Sequence, residues 1–144
     1  MKKNIVADID KCIEKLYIAH VKFRTARNIF NRIKQTKIDS VLFVSAMYGA
    51  PFSSRQMAYM FIDSALRDLK GIIKKLHKID KYLEKNDPPR HVLFHKRIAE
   101  IITVLNKLRD SKDMNIEQYI DETEKALDSL RELNSVLARI YNFK

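Results

Sequence analysis

Pro88 and Pro89 stand side by side in a chain whose flanks both read as long amphipathic helix. A proline lacks the N–H a helix needs, and its ring clashes with the preceding turn, so two in a row are tolerated only in a first turn. Asp87 is therefore expected to be an N-cap, with Pro88 as the first residue of a new helix. This pair fixes the main hinge, and the long stretches on either side must fold back on each other.

The apolar positions around the hinge repeat at spacings of four and three. Ile5, Ile9, Cys12, Leu16, Ala19, Phe23, Ala26, Phe30 and Ile33 form one such seam, and Ala58, Ile62, Ala65, Leu69, Ile72, Leu76, Ile79 and Leu83 form another. Each predicts a helix of about 30 residues with one buried stripe. Gly71 interrupts the second at a cost of about 1 kcal/mol relative to Ala, unless it permits a close helix crossing. After the hinge, Phe94, Ile98, Ile101, Leu105 and Leu108 mark a third helix. Asn115 and Gln118 offer a cap for a fourth, with Tyr119, Thr123, Ala126, Leu130, Leu133, Leu137 and Ile140 facing inward. The expected fold is all-α: a single domain over residues 1–144, an antiparallel four-helix bundle with two long N-terminal helices.

With 2 Gly, 3 Pro and no Trp in 144 residues, few positions suit tight β-hairpins. The lone Cys12 excludes an intrachain disulfide and fits a reducing, cytoplasmic setting. Asp8 and Asp10 precede any long apolar run, unlike a signal peptide. The least charged segment, residues 40–54, falls short of the roughly 20 residues that span a bilayer, so no membrane association is expected.

Net charge is +10 and unevenly placed. Residues 1–109 hold 23 Lys and Arg against 10 Asp and Glu, whereas residues 110–144 hold 5 against 8. A basic body of this kind attracts polyanions, because each neutralised phosphate releases counterions. Lys22, Arg24, Arg27 and Arg32 on the first helix, and Lys74, Lys78 and Lys81 on the second, are the candidate contacts; a solvated helix face reads the same way. Between these helices, residues 40–52 are densely apolar. Leu42, Phe43, Met47, Tyr48 and Phe52 there either cover the open end of the bundle or meet a protein partner.

Chemistry-bearing residues concentrate at the hinge. His91 and His95 are four apart and share a helix face, the spacing of a metal-ligand pair. No acid flanks them in the pattern of a zinc-protease helix, Glu-x-x-His is absent, and one Cys makes no thiolate set, so no metal or other cofactor is expected. His20 and His77 read as surface or boundary residues. Two glycines 22 positions apart exclude a Gly-rich phosphate loop.

What remains is Arg90-His91-Val92-Leu93-Phe94-His95: an arginine, a polar residue, three more positions and a histidine. It resembles the signature of the HEPN proteins, small all-α bundles with a metal-independent RNase site. That resemblance implies that Arg90 holds the scissile phosphate, that His95 acts on the ribose 2′-hydroxyl and that His91 fills the polar second position. The segment 60–70 also resembles the family's second helix, which makes Asp63 the acid directed at the site. The pairing is chemically sound, since imidazole titrates near neutrality and guanidinium offsets charge on a pentavalent phosphate. On an ideal helix Arg90 and His95 point about 140° apart, so they meet only if the first turn is distorted or a second subunit supplies one of them. A homodimer is accordingly expected.

Three classes of function follow: an RNA-directed HEPN-like bundle, cutting or only binding; a non-enzymatic adaptor or oligomerising bundle working through residues 40–52; and a basic nucleic-acid-binding bundle of another kind.

Overall fold

The computed structural model describes residues 4–35, 54–111 and 114–141. Four helices account for nearly all of them: α1 (Ile5–Gln35), α2 (Ser54–Asn86), α3 (Pro88–Asp110) and α4 (Ile116–Tyr141). The apolar segment 40–52, with Leu42, Phe43, Met47, Tyr48 and Phe52, lies outside the described residues.

Each helix packs on two neighbours, in the cyclic order α1, α2, α3, α4. Cross-helix contacts run in opposite directions along each pair. Phe30 meets Tyr59 and Lys22 meets Asp68 between α1 and α2; Asp10 meets Asn134 and Arg27 meets Glu117 between α1 and α4. The helices are therefore antiparallel, an up-down-up-down bundle of all-α class. No described helix is long and apolar enough to cross a membrane.

The seams account for the core. Ile9, Cys12, Leu16 and Phe23 of α1, Leu69, Ile72, Leu76 and Leu83 of α2, Ile98, Leu105 and Leu108 of α3 and Leu130, Leu133 and Leu137 of α4 join one buried cluster. Phe30, Ile33, Ile62 and Ile140, near the bundle ends, are only partly buried. Burial pushes the Cys12 thiol up to about 11, so it acts as a small apolar side chain.

His20 departs from the boundary role expected of it. It is buried, and its Nδ1 lies 2.8 Å from Thr123 Oγ1 on α4. The Thr123 hydroxyl donates to the carbonyls of Tyr119 (2.7 Å) and Ile120 (3.0 Å), so the imidazole N–H donates to Thr123. Phe23 stacks on Tyr119 one turn away, ring centroids 5.0 Å apart. A polar residue on the inward seam of α4 thus received its partner from α1.

The two helix starts of the second half are satisfied in different ways. Asn115 and Gln118 bond reciprocally, each side chain accepting from the other's amide at 3.0 Å, which starts α4 as a capping box. At the hinge, Asp87 is the single residue between α2 and α3, and its carbonyl accepts from the amides of Arg90 (3.1 Å) and His91 (2.9 Å). Its side chain does not cap α3: Pro89 removes the N2 amide, and the N3 amide of Arg90 goes to the Asp87 carbonyl instead. Instead, Asp87 Oδ2 accepts from the Tyr141 hydroxyl at 2.5 Å, tying the end of α4 to the hinge.

Candidate functional site

A one-residue link makes α2 and α3 a tight hairpin, and residues equally far from it come to the same height. At about 1.5 Å per residue, Asp80 lies about 10 Å before Asp87 and His95 about 12 Å after it. The two side chains meet. His95 Nδ1 lies 2.9 Å from Asp80 Oδ1 and 3.1 Å from Oδ2. A carboxylate only accepts, so Nδ1 carries the proton and the lone pair of neutral His95 is on Nε2. His95 is 53% exposed and Asp80 only 16%, so the acid is set in the wall and the imidazole stands at the surface.

His91, one turn earlier, completes the cluster. Its ring centroid is 4.7 Å from that of His95, and its Nε2 is 3.3 Å from Asp80 Oδ1. That nitrogen is withheld from solvent, yet it is not aligned for a hydrogen bond to the carboxylate or to any other described group. Phe94 and Ile98 on the same helix are buried and fix its rotation, which turns the histidine edge toward α2.

Arg90 faces elsewhere. It is partly buried at the α4 side of the hinge, where its charge opposes the upward push that burial and Asp87 exert on the Tyr141 hydroxyl. The two ends of the Arg-to-His motif therefore serve different helix interfaces, as the 140° offset on a regular helix requires. Among the described residues of one chain, no hydrogen bond or ion pair joins them.

Asp63 is not brought to the histidines either. It is exposed on α2, 17 residues before Asp80, a separation of about 25 Å along a helix. There it lines a shallow groove with Lys22, Met57, Met60 and Arg67. The acid at the histidines is Asp80, which lies outside the Arg-to-His motif and on the other helix of the hairpin. It is not a chain neighbour of the histidines, but it stands seven residues before Asp87 as His95 stands eight after it.

The basic residues divide into two groups. Lys22 is bound to Asp68 Oδ2 at 2.7 Å and to Ser64 Oγ at 2.8 Å, and Arg27 lies 3.7 Å from Glu117. The stretch of α1 without acids is thus partly neutralised by acids of α2 and α4, which no reading of α1 alone reveals. Arg24 and Arg32 are exposed. Lys74, Lys78 and Lys81 are exposed on one face of α2, in line with Lys70 and Lys85.

No family model matches the chain, and neither a curated protein nor a solved structure matches it.

Proposed function

We propose that this bundle acts on RNA as a metal-independent endoribonuclease of HEPN-like kind, with His95 as its base. The single observation that carries the reading is the half-exposed imidazole of His95 held by a largely buried carboxylate 2.9 Å away. A fixed Nδ1–H leaves Nε2 to accept a proton from a ribose 2′-hydroxyl, the arrangement by which an acid orients a catalytic histidine. The 2′-oxygen then bonds to phosphorus as the bond to the 5′-oxygen breaks. The products are a 2′,3′-cyclic phosphate and, once the leaving oxygen takes a proton, a 5′-hydroxyl. His91, 4.7 Å away ring to ring, is the nearest second imidazole to supply that proton.

Arg90 offsets charge on the phosphate, and its position beside α4 calls for a second copy of the chain to present it to His95. The reading therefore includes a homodimer formed around the start of α3, where Val92 (78%) and Leu93 (66%) are exposed apolar side chains beside the motif. The lysine row of α2 suits a phosphate backbone, and a single buried thiol suits a cytoplasmic setting.

The test is cleavage of a mixed-sequence RNA by purified protein with EDTA present. Wild type is expected to cut and His95→Ala to lose activity by 10²-fold or more, in line with removal of a general base. A folded wild-type protein that leaves RNA intact would overturn the reading.

A second reading, an adaptor that binds another protein, has its own observation: Met57, Tyr59 and Met60 at the start of α2 are each about half exposed. Pull-down of a defined partner, lost on Met57→Ser/Met60→Ser, is its test.

A further inference from the structure

We propose that Asp80, His91 and His95 form a binding site for a divalent transition-metal ion of the zinc class, bridging α2 and α3 beside the hinge. One ligand atom from each of the three side chains lies within 4.8 Å of those from the other two. The carboxylate supplies the short edges, with Oδ1 2.9 Å from His95 Nδ1 and 3.3 Å from His91 Nε2. Zinc bound tetrahedrally, with Zn–N and Zn–O near 2.1 Å, sets its donors about 3.3 Å apart. Two edges already match to within a few tenths of an ångström. The third needs the half-exposed ring of His95 to swing inward by at most about 1.5 Å.

Donor chemistry agrees with the geometry. The two imidazoles are borderline ligands, and with one hard carboxylate they suit zinc, cobalt, nickel or copper rather than magnesium or calcium. His91 Nε2 supports the assignment further: it is shielded from solvent and makes no hydrogen bond to any described group. Buried polar atoms are nearly always paired, and a metal ion would satisfy this one. Three protein ligands leave a fourth position for water, the pattern of an open zinc site.

The metal site rests on the trio's geometry and holds whether or not the protein cuts RNA. Its consequence for activity does rest on the proposed cleavage. A metal bound to Nδ1 of His95 displaces the proton that Asp80 holds there and recruits the acid as a ligand, so zinc is an inhibitor of the metal-independent reaction.

The deciding experiment is isothermal titration of zinc chloride into metal-free wild-type protein, with Co²⁺ absorption as a coordination readout. One equivalent bound, with the visible spectrum of low-coordinate cobalt, supports the site. Asp80→Asn, His91→Gln and His95→Gln should each weaken binding at least tenfold, while His77→Ala, an exposed histidine on α2, should leave it unchanged. Circular dichroism of each variant separates ligand loss from misfolding. No zinc uptake by wild type, or uptake that survives His91→Gln and Asp80→Asn, overturns the proposal. Zinc uptake by a protein that leaves RNA intact when assayed in EDTA would remove the nuclease reading and keep the site; cleavage in EDTA without zinc uptake would do the reverse.

Discussion

Asp80 on α2 and His95 on α3 are hydrogen-bonded across a hairpin whose link is a single residue, with both carboxylate oxygens within 3.1 Å of one imidazole nitrogen. The acid sets which nitrogen carries the proton. Asp80→Asn preserves shape but offers an amide whose N–H₂ favours the opposite tautomer when it faces Nδ1. Cleavage is expected to fall by 10²-fold or more, with substrate affinity nearly unchanged and melting temperature shifted by only a few degrees. Loss of activity in proportion to loss of folded protein would instead make the pair structural. Steady-state kinetics beside thermal denaturation gives the answer.

Arg90 and His95 face different helix interfaces, so a working site built from both draws them from two chains. Arg90→Ala and His95→Ala are each expected to be inactive alone. Mixed in equal amounts and allowed to exchange subunits, they should recover up to about a quarter of wild-type activity, since half of the dimers are mixed and each holds one intact site. Unrecovered activity in a mixture shown to contain mixed dimers would place both groups in one chain.

The seams were legible because a 3.6-residue period leaves its mark on local sequence, and Ile9, Leu16, Leu69, Leu76, Leu105 and Leu130 are fully buried where the pattern puts them. The hinge was legible because proline chemistry is local. Cross-helix partners were not: Asp80 for the histidines, Thr123 for His20, Asp68 for Lys22 and Tyr141 for Asp87 all depend on helix register. Register is set by packing across the bundle, and no spacing within one helix reports it. The same limit explains why Asp63, chosen by its place in a local pattern, lies a long way down α2 from the histidines.

His20 gives the fold a pH dependence. Burial first, and then the charge of Arg24, hold its pKa below the ordinary histidine value, so the folded protein keeps it neutral. The unfolded chain binds that proton more readily. The contribution of His20 is therefore fully present above about pH 6.5 and is lost as pH falls through the lowered folded value. Urea unfolding at pH 7.5 and pH 5 should show a larger loss of stability for wild type than for His20→Gln. Equal losses would mean that His20 is not the group responsible. Thr123→Val, which strands the imidazole N–H, should cost about 1–3 kcal/mol at pH 7.5.

Gly71 permits no close helix crossing. A Cβ built there meets only the flexible end of Lys15, at 3.9 Å. The position is exposed in the interior of a 33-residue helix, where glycine is a poor helix former. Gly71→Ala should raise stability by about 0.5–1 kcal/mol, partly by restricting the unfolded chain. Chemical denaturation measures it, and a destabilised variant would show that the backbone there needs glycine for a reason that the packing does not reveal.

Among the basic residues, ion pairing decides which can release counterions. Lys22 Nζ already sits 2.7 Å from Asp68, so a phosphate must compete with a carboxylate for it. Lys74, Lys78 and Lys81 stand exposed along one stripe of α2. For single-stranded RNA, each lost phosphate contact lowers the dependence of log K on log salt by about 0.7. Replacing all three lysines by alanine should therefore reduce the slope by about 2, whereas Lys22→Ala alone should change it by well under 0.7. Fluorescence anisotropy with a labelled RNA across a salt series measures both. A slope that falls more with Lys22→Ala than with the triple variant would move the binding face from α2 to the α1–α2 groove that Lys22 lines.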